Sequence, residues 1–206
     1  MAVRGRKDYC SALFQRTALA VHHSAQILNV ASGPARDVLE FKSLPGRAIS
    51  ETRVHCIDAD ANAIAYSRNL LAHYHDTVSF ENRNAFRLRL KPEYDLIWSA
   101  GLFDYLDDKA FVRLLEKLGR ALSPGGQLVV GNFAPTLRQR GFMEFGDWHL
   151  TYRDETQLRA LARAAGFADD TITIGREATG VNLFLHISPA RSNKPAGAGK
   201  QMDNQV

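Results

Sequence analysis

The chain has 206 residues, 45% of them hydrophobic, enough to build one core and too few to suggest a second domain. Its formal charge of +4 is uneven: Arg4, Arg6 and Lys7 load the start, Arg191, Lys194 and Lys200 load the end, and residues 8–188 carry 20 basic against 21 acidic side chains. Two charged ends on a neutral body argue against a nucleic-acid partner, and apolar runs far shorter than the roughly 18 to 20 residues of a membrane span argue against a membrane protein. The opening "MAVRGRKDYC" lacks an adjoining apolar signal core, and Cys10 and Cys56 fit no paired spacing, so a cytoplasmic protein with two free thiols is expected.

In chain order, residues 8–22 place Tyr9, Leu13, Phe14, Leu19 and Val21 at partly helical spacing, which predicts an amphipathic helix leading into the domain. Gln26 to Ala31 reads as a buried strand, and a helix from about Ala35 to Leu44 is ended by "PGR". "TRVHCID" is a second strand, "ANAIAYSRNLLAHY" a second helix, "TVSFEN" a third strand and "YDLIWSA" a fourth. The helix "DKAFVRLLEKLGRAL" is stopped by "SPGG", and "QLVVGNF" is a fifth strand. A helix around "DETQLRALARAAGF" precedes two closing strands, "DTITIGRE" and "VNLFLHIS". Alternating strands and helices require right-handed crossovers, which predicts an α/β, doubly wound, seven-stranded, mostly parallel sheet with an antiparallel hairpin at one edge. The expected divisions are 1–25, an N-terminal helix that acts as a lid or covers a sheet edge; 26–188, the catalytic domain; and 189–206, a polar tail too poor in apolar residues to order itself.

The first strand-to-helix turn, "ASGPA", sets Ala31, Gly33 and Ala35 where a Gly-x-Gly-x-Gly pattern would stand. Small residues there let backbone approach a ligand, although any tight α/β turn favours them for packing. The second strand ends with Asp58, followed by Ala59, and a carboxylate at that edge can accept both hydroxyl hydrogens of a ribose. The alternative is that Asp58 caps the next helix, a task that Asp60 or Asn62 can also perform. After the third strand, Asn84 offers hydrogen bonds to an adenine edge, with Ala85 or Phe86 against its face; an ordinary turn is the alternative.

These segments resemble, in order over residues 26–188, the class I S-adenosylmethionine-dependent methyltransferases: "ILNVASGPA" their first motif, "HCIDADANAI" their ribose motif, "ENRNAF" their adenine motif, "YDLIWSAGLFDYLDD" their fourth-strand motif and "LSPGGQLVV" their fifth-strand motif. The resemblance implies a Rossmann-like methyltransferase fold, S-adenosylmethionine as cofactor, and binding by Asn29, Ala31, Ser32, Gly33, Asp37, Asp58, Ala59, Asn84, Ala85, Phe86, Ser99, Ala100 and Gly101. Two departures stand out: the family often has an acid at Asn29 and glycine at Ala31 and Ala35. Pairing with the cofactor's ammonium would then fall to Asp37, to Asp104 or to backbone carbonyls.

Displacement at a sulfonium methyl depends chiefly on alignment, with a base needed only where the acceptor must lose a proton. Asp104 and Tyr105, after the fourth strand, and Asn132, ending the fifth, are the candidate catalytic groups, with Tyr152 from the segment at 135–153. That segment is aromatic and carries Arg138, Arg140 and Arg153; Trp148 and Arg153 are the candidate substrate contacts, the arginine suiting a carboxylate by bidentate pairing. His22 with His23 and His73 with His75 have no convincing ligand spacing, so no metal is expected. More narrowly, "ASGPARD", "GLFDYL", "GNF" and "DWHLTYR" are similar to a bacterial group that includes 3-hydroxy fatty acid methyl ester biosynthesis proteins and azetidine-2-carboxylate synthases. A methyltransferase acting on a small molecule, a carboxylate or hydroxy acid, is the leading expectation. Cyclisation of the cofactor and non-catalytic nucleotide binding are the alternatives.

Overall fold

The computed structural model describes residues 2–91, 93–135 and 150–188. Its elements are α1 (Ala2–Ala20), β1 (Gln26–Val30), α2 (Arg36–Lys42), α3 (Arg47–Glu51), β2 (Arg53–Asp58), α4 (Ala61–Leu70), β3 (Val78–Asn82), β4 (Tyr94–Ser99), α5 (Asp108–Gly119), β5 (Leu122–Phe133), α6 (Glu155–Ala164), β6 (Ile172–Arg176) and β7 (Asn182–Ile187). They form a seven-stranded sheet of order β3-β2-β1-β4-β5-β7-β6. β1 pairs in parallel with both β2 and β4, whereas β7 runs antiparallel between β5 and β6. The chain therefore moves outward from β1 in one direction and resumes at β4 in the other. This reversal opens a crevice beyond the carboxyl ends of β1 and β4, where ligands of such sheets bind.

The strands are apolar because the central ones are covered on both faces. One face packs Leu28, Val30, Ile97, Leu128 and Leu185 under α5 and α6, and the other packs Ile27, Leu96, Trp98 and Phe184 under α1 and α2. α5 presents Phe111, Leu114, Leu115 and Leu118 on one stripe, and Asp107 caps its start by accepting from Ala110 N at 2.8 Å. α6 begins with a capping box in which Asp154 and Gln157 satisfy each other's backbone N–H groups at 2.8 and 2.9 Å.

Three boundaries differ from the sequence reading. α1 starts six residues earlier than expected, and it is part of the core: Cys10, Leu13, Phe14 and Ala18 are buried, and Tyr9 stacks on Phe184 with centroids 4.0 Å apart. α3, a short helix that begins at the arginine of "PGR", was not anticipated. Buried Lys42 donates to the carbonyls of Ile49, Ser50 and Thr52 at its end, and desolvation brings the Lys42 pKa down to about 8. "SPGG" lies inside β5, where the register against β4 shifts between Tyr94 and Leu96, because α5 has already ended at Gly119. The expected tail, 189–206, lies outside the described residues. None of the described helices is long and apolar enough to cross a membrane.

Candidate active site

The turn after β1 adopts an unusual backbone. Ala31, Gly33 and Ala35 have φ of 54°, 52° and 47°, all left-handed. Glycine takes this conformation freely, while each alanine pays roughly 1 kcal/mol or more from its Cβ. The alternation survives here without two of its glycines, which means the surroundings impose it. Ser32 N donates to Ile57 O at 3.0 Å, Gly33 N to Asp58 Oδ2 at 2.7 Å, and Ser67 Oγ to Gly33 O at 3.0 Å. A Cβ at Gly33 or Gly101 would meet no atom within 4 Å, so both positions border open space.

That space is a cavity of about 500 Å³ at the crevice, bordered by Asn29, Ala31, Ser32, Gly33, Asp37, Asp58, Ala100 and Gly101. Eight residues singled out in the sequence thus meet around one volume. Asp58 accepts from Gly33 N and, through Oδ1, from Asp60 N at 2.8 Å. Two of its roughly four lone-pair sites remain for a ligand. The cap of α4 is Asp60, which accepts from Asn62 N, so Asp58 does not serve as that cap. Asn29 is buried with its Nδ2 unpartnered, as is the Ser99 hydroxyl just beneath the rim. An orphaned buried donor costs about 1 to 3 kcal/mol unless something accepts from it.

Asp37 is the second acid of the cavity. Its Oδ2 accepts from the Cys10 thiol at 3.3 Å and its Oδ1 from Val38 N at 2.9 Å. Burial pushes its pKa up, while those two bonds and the Arg6 guanidinium pull it back. Burial, with Asp37 nearby, drives the Cys10 and Cys56 thiols well above their ordinary pKa, so neither is a ready nucleophile.

Other sequence candidates lie elsewhere. Ala59 is exposed beside Asp58. Asn84 caps a 3-10 turn by accepting from Phe86 N at 2.9 Å, and half-buried Ala85 and Phe86 pack against the core under α5; none of the three borders the cavity. Tyr105 is 54% exposed. Trp148 falls outside the described residues.

Asp104, Asn132 and Arg153 are all engaged in hydrogen bonds at the rim, and only Arg153 is left without a free donor for a substrate. Arg153 is 2% exposed, and all five of its N–H groups are engaged: Nε and Nη2 with Asp108 Oδ1, Nη2 also with Leu106 O, and Nη1 with Phe103 O and Asn132 Oδ1. Its guanidinium lies 4.8 Å from the Phe111 ring centroid. Nothing remains for bidentate capture of a substrate carboxylate. Asn132 Nδ2 donates to Thr151 O and Phe133 O, and Asp104 Oδ1 accepts from Phe133 N at 2.7 Å. Thr151 N in turn donates to Asp104 O and Arg153 N to Phe133 O, which fixes half-buried Tyr152 between two clamped neighbours. Burial raises the Asp104 pKa to about 6 against the opposing bond from Phe133 N and the charges of Arg6 and Arg153.

The sequence reading allows the N-terminal helix a lid role but names none of its residues for the site, and it leaves out Trp98 and Arg36. Arg6, Lys7 and Cys10 border the cavity, with Trp98 in its floor and Arg36 at its edge. Arg6 and Lys7 register in the sequence as terminal charge, and only the longer helix brings them to the crevice. A second cavity, of about 760 Å³, lies between the later half of α1 and β5, β6 and β7. It is larger, yet it holds neither the strained turn nor an orphaned buried polar group, so size does not select the site.

Residues 27–126 match the family model of a methyltransferase domain. Over that stretch, just under half of the chain, the sequence is similar to methyltransferase domains, in line with the resemblance to the class I S-adenosylmethionine-dependent methyltransferases. Solved structures share this methyltransferase fold. A possible exported protein from Bordetella parapertussis is 21% identical with a TM-score of 0.76, over 92% of this chain and 68% of that one. Magnesium protoporphyrin IX methyltransferase from Synechocystis PCC 6803, crystallised with bound SAH, is 10% identical with a TM-score of 0.71, over 92% and 85%. The S-adenosylmethionine-dependent methyltransferase SibL is 19% identical with a TM-score of 0.66, and this chain covers only 52% of its length. At these identities the likeness establishes the fold alone. No curated protein sequence matches the chain.

Proposed function

We propose that this protein binds S-adenosylmethionine in the crevice beyond β1 and β4 and transfers its methyl group to a small molecule, a carboxylate or hydroxy acid. The observation that carries the reading is the meeting, around one cavity, of the left-handed turn, the Asp58 carboxylate and the orphaned Asn29 amide. These residues fit the cofactor. Asp58 has acceptor capacity for two ribose hydroxyls, the Gly33 and Gly101 edges are open, and Asn29 offers a donor that folding leaves unused. Bound there, S-adenosylmethionine supplies a methyl group already activated by its positively charged sulfur. The chain's part is to hold the sugar on Asp58, align the acceptor and exclude water. Acceptor charge is met by Arg36, which donates to the Tyr66 hydroxyl at 3.1 Å and lies 5.9 Å from that ring's centroid at the exposed rim. Arg153, being saturated, has no such role.

A second reading, cyclisation of the cofactor to azetidine-2-carboxylate, is favoured by one observation: Asp37, its pKa raised by burial, borders the cavity beside neutral Asn29 and can take a proton from an amine. Incubation with S-adenosylmethionine alone separates the two. Methylthioadenosine formed without acceptor supports cyclisation; S-adenosylhomocysteine formed only when a carboxylate or hydroxy acid is added supports transfer. Absence of both products across a broad acid panel would overturn both.

A further inference from the structure

α1 lies outside the strand-helix alternation, yet its first turns border the crevice. Arg6 is half-buried there, and its Nη1 donates to Ala100 O, 2.8 Å away at the end of β4. No further hydrogen bond ties its remaining N–H groups among the described residues, in contrast to Arg153 with every donor engaged. The adjacent Lys7 is occupied by an ion pair with Glu40. Burial raises the pKa of Asp37, Cys10 and Asp104, and the Arg6 charge lowers each of them in part. The same cavity is bordered by Asn29, whose Nδ2 is an unpartnered donor, and by the carboxylate of Asp37, an acceptor. Two donors, one of them cationic, beside an anion complement an α-carboxylate beside an α-ammonium. The arrangement also accounts for asparagine at position 29, because an acid there would face the carboxylate that Arg6 attracts.

We propose that α1 is part of the cofactor site: Arg6 and Asn29 bind the α-carboxylate of the cofactor's amino-acid end and Asp37 binds its α-ammonium, so that occupancy of this end fastens the helix to the sheet. The inference rests on the cofactor reading above. It assigns to the N-terminal helix a ligand-dependent task that its apolar packing does not require.

The test compares two probes that share adenosine and sulfur, S-adenosylhomocysteine, which has the amino-acid end, and methylthioadenosine, which lacks it. Calorimetry on the full chain should find S-adenosylhomocysteine bound at least tenfold more weakly by Arg6→Ala, since a charge-assisted pair is lost, with methylthioadenosine affinity changed less than twofold. Asn29→Asp should show the same selectivity. In the unaltered protein, hydrogen exchange of the α1 amides should slow with S-adenosylhomocysteine and not with methylthioadenosine, a readout that needs no variant to fold. Equal weakening of both probes by Arg6→Ala, or equal protection of α1 by both, overturns the assignment. Failure of the unaltered protein to bind either probe overturns the cofactor reading itself, and the two failures are thereby told apart.

Discussion

Two polar clusters occupy the same rim of the sheet, and they differ in how completely their hydrogen bonds are met. At the ends of β4 and β5, Arg153 and Asn132 satisfy each other and the backbone of neighbouring segments, and Asp104 accepts from Phe133 N. At the ends of β1 and β2, Asn29 has an unused donor, two alanines are held left-handed, and Asp58 and Arg6 have capacity to spare. Burial and polarity are shared by both clusters, so neither property distinguishes a site from a brace. Unspent hydrogen-bonding capacity does. A saturated network can lose nothing to a ligand without paying for it, whereas an orphaned donor gains from one.

The largest effect that would test this contrast is on the brace. Arg153→Met should lower the free energy of unfolding by about 3 kcal/mol, because the carbonyls and carboxylate it serves lose their donors, and denaturant titration measures this. Affinity of the folded variant for S-adenosylhomocysteine should change less than threefold; a far larger loss would return Arg153 to the site.

Asp104 sharpens the same comparison through pH. Its carboxyl is raised from 3.8 to about 6, so between roughly pH 4 and 6 the folded state keeps a proton that the unfolded state releases. This contribution is complete below about pH 4 and is lost as pH rises through 6, a change of about 2 to 3 kcal/mol. Asp104→Asn retains an oxygen for Phe133 N and should remove that portion of the pH dependence. Stability curves of the two proteins that stay parallel from pH 4 to 7 would contradict the assignment.

On the ligand side, Asp58→Ala should weaken both S-adenosylhomocysteine and methylthioadenosine by about 1 to 3 kcal/mol, since both carry the ribose, and calorimetry that found no loss would remove Asp58 from the sugar. The smallest effect concerns strain. Ala31→Gly should raise stability by about 1 kcal/mol in thermal or chemical unfolding, by relieving the left-handed φ. Ala35→Gly should yield less, because the Ala35 methyl is buried and its packing would be lost. A destabilised Ala31→Gly would mean that the turn is not strained.

Much of the cluster at β1 and β2 was legible because it is local. Ala31 to Ala35, Asp37 and Asp58 follow strand ends directly, and in a parallel sheet strand ends converge on one edge. The adenine assignment had weaker footing: Asn84 spends its oxygen on its own turn, a local bond that residue type alone does not distinguish from ligand binding. Arg153 was misread for the opposite reason, since its partners at Phe103, Leu106, Asp108 and Asn132 come from other segments, and no spacing in the chain announces that they will use every donor.

The alternation of apolar strands with helices and the small-residue turn with its following acids were determined by sequence alone, because each rests on local periodicity and on the rule that crossovers are right-handed. Which polar groups remain unsatisfied was decided only in three dimensions. Arg6 reaches the crevice because α1 packs through Tyr9 and Phe14 onto the sheet, and Arg153 leaves it because four acceptors from distant segments take all five of its N–H groups. Hydrogen-bond capacity is a sum over neighbours, and neighbours far apart in the chain are chosen by packing.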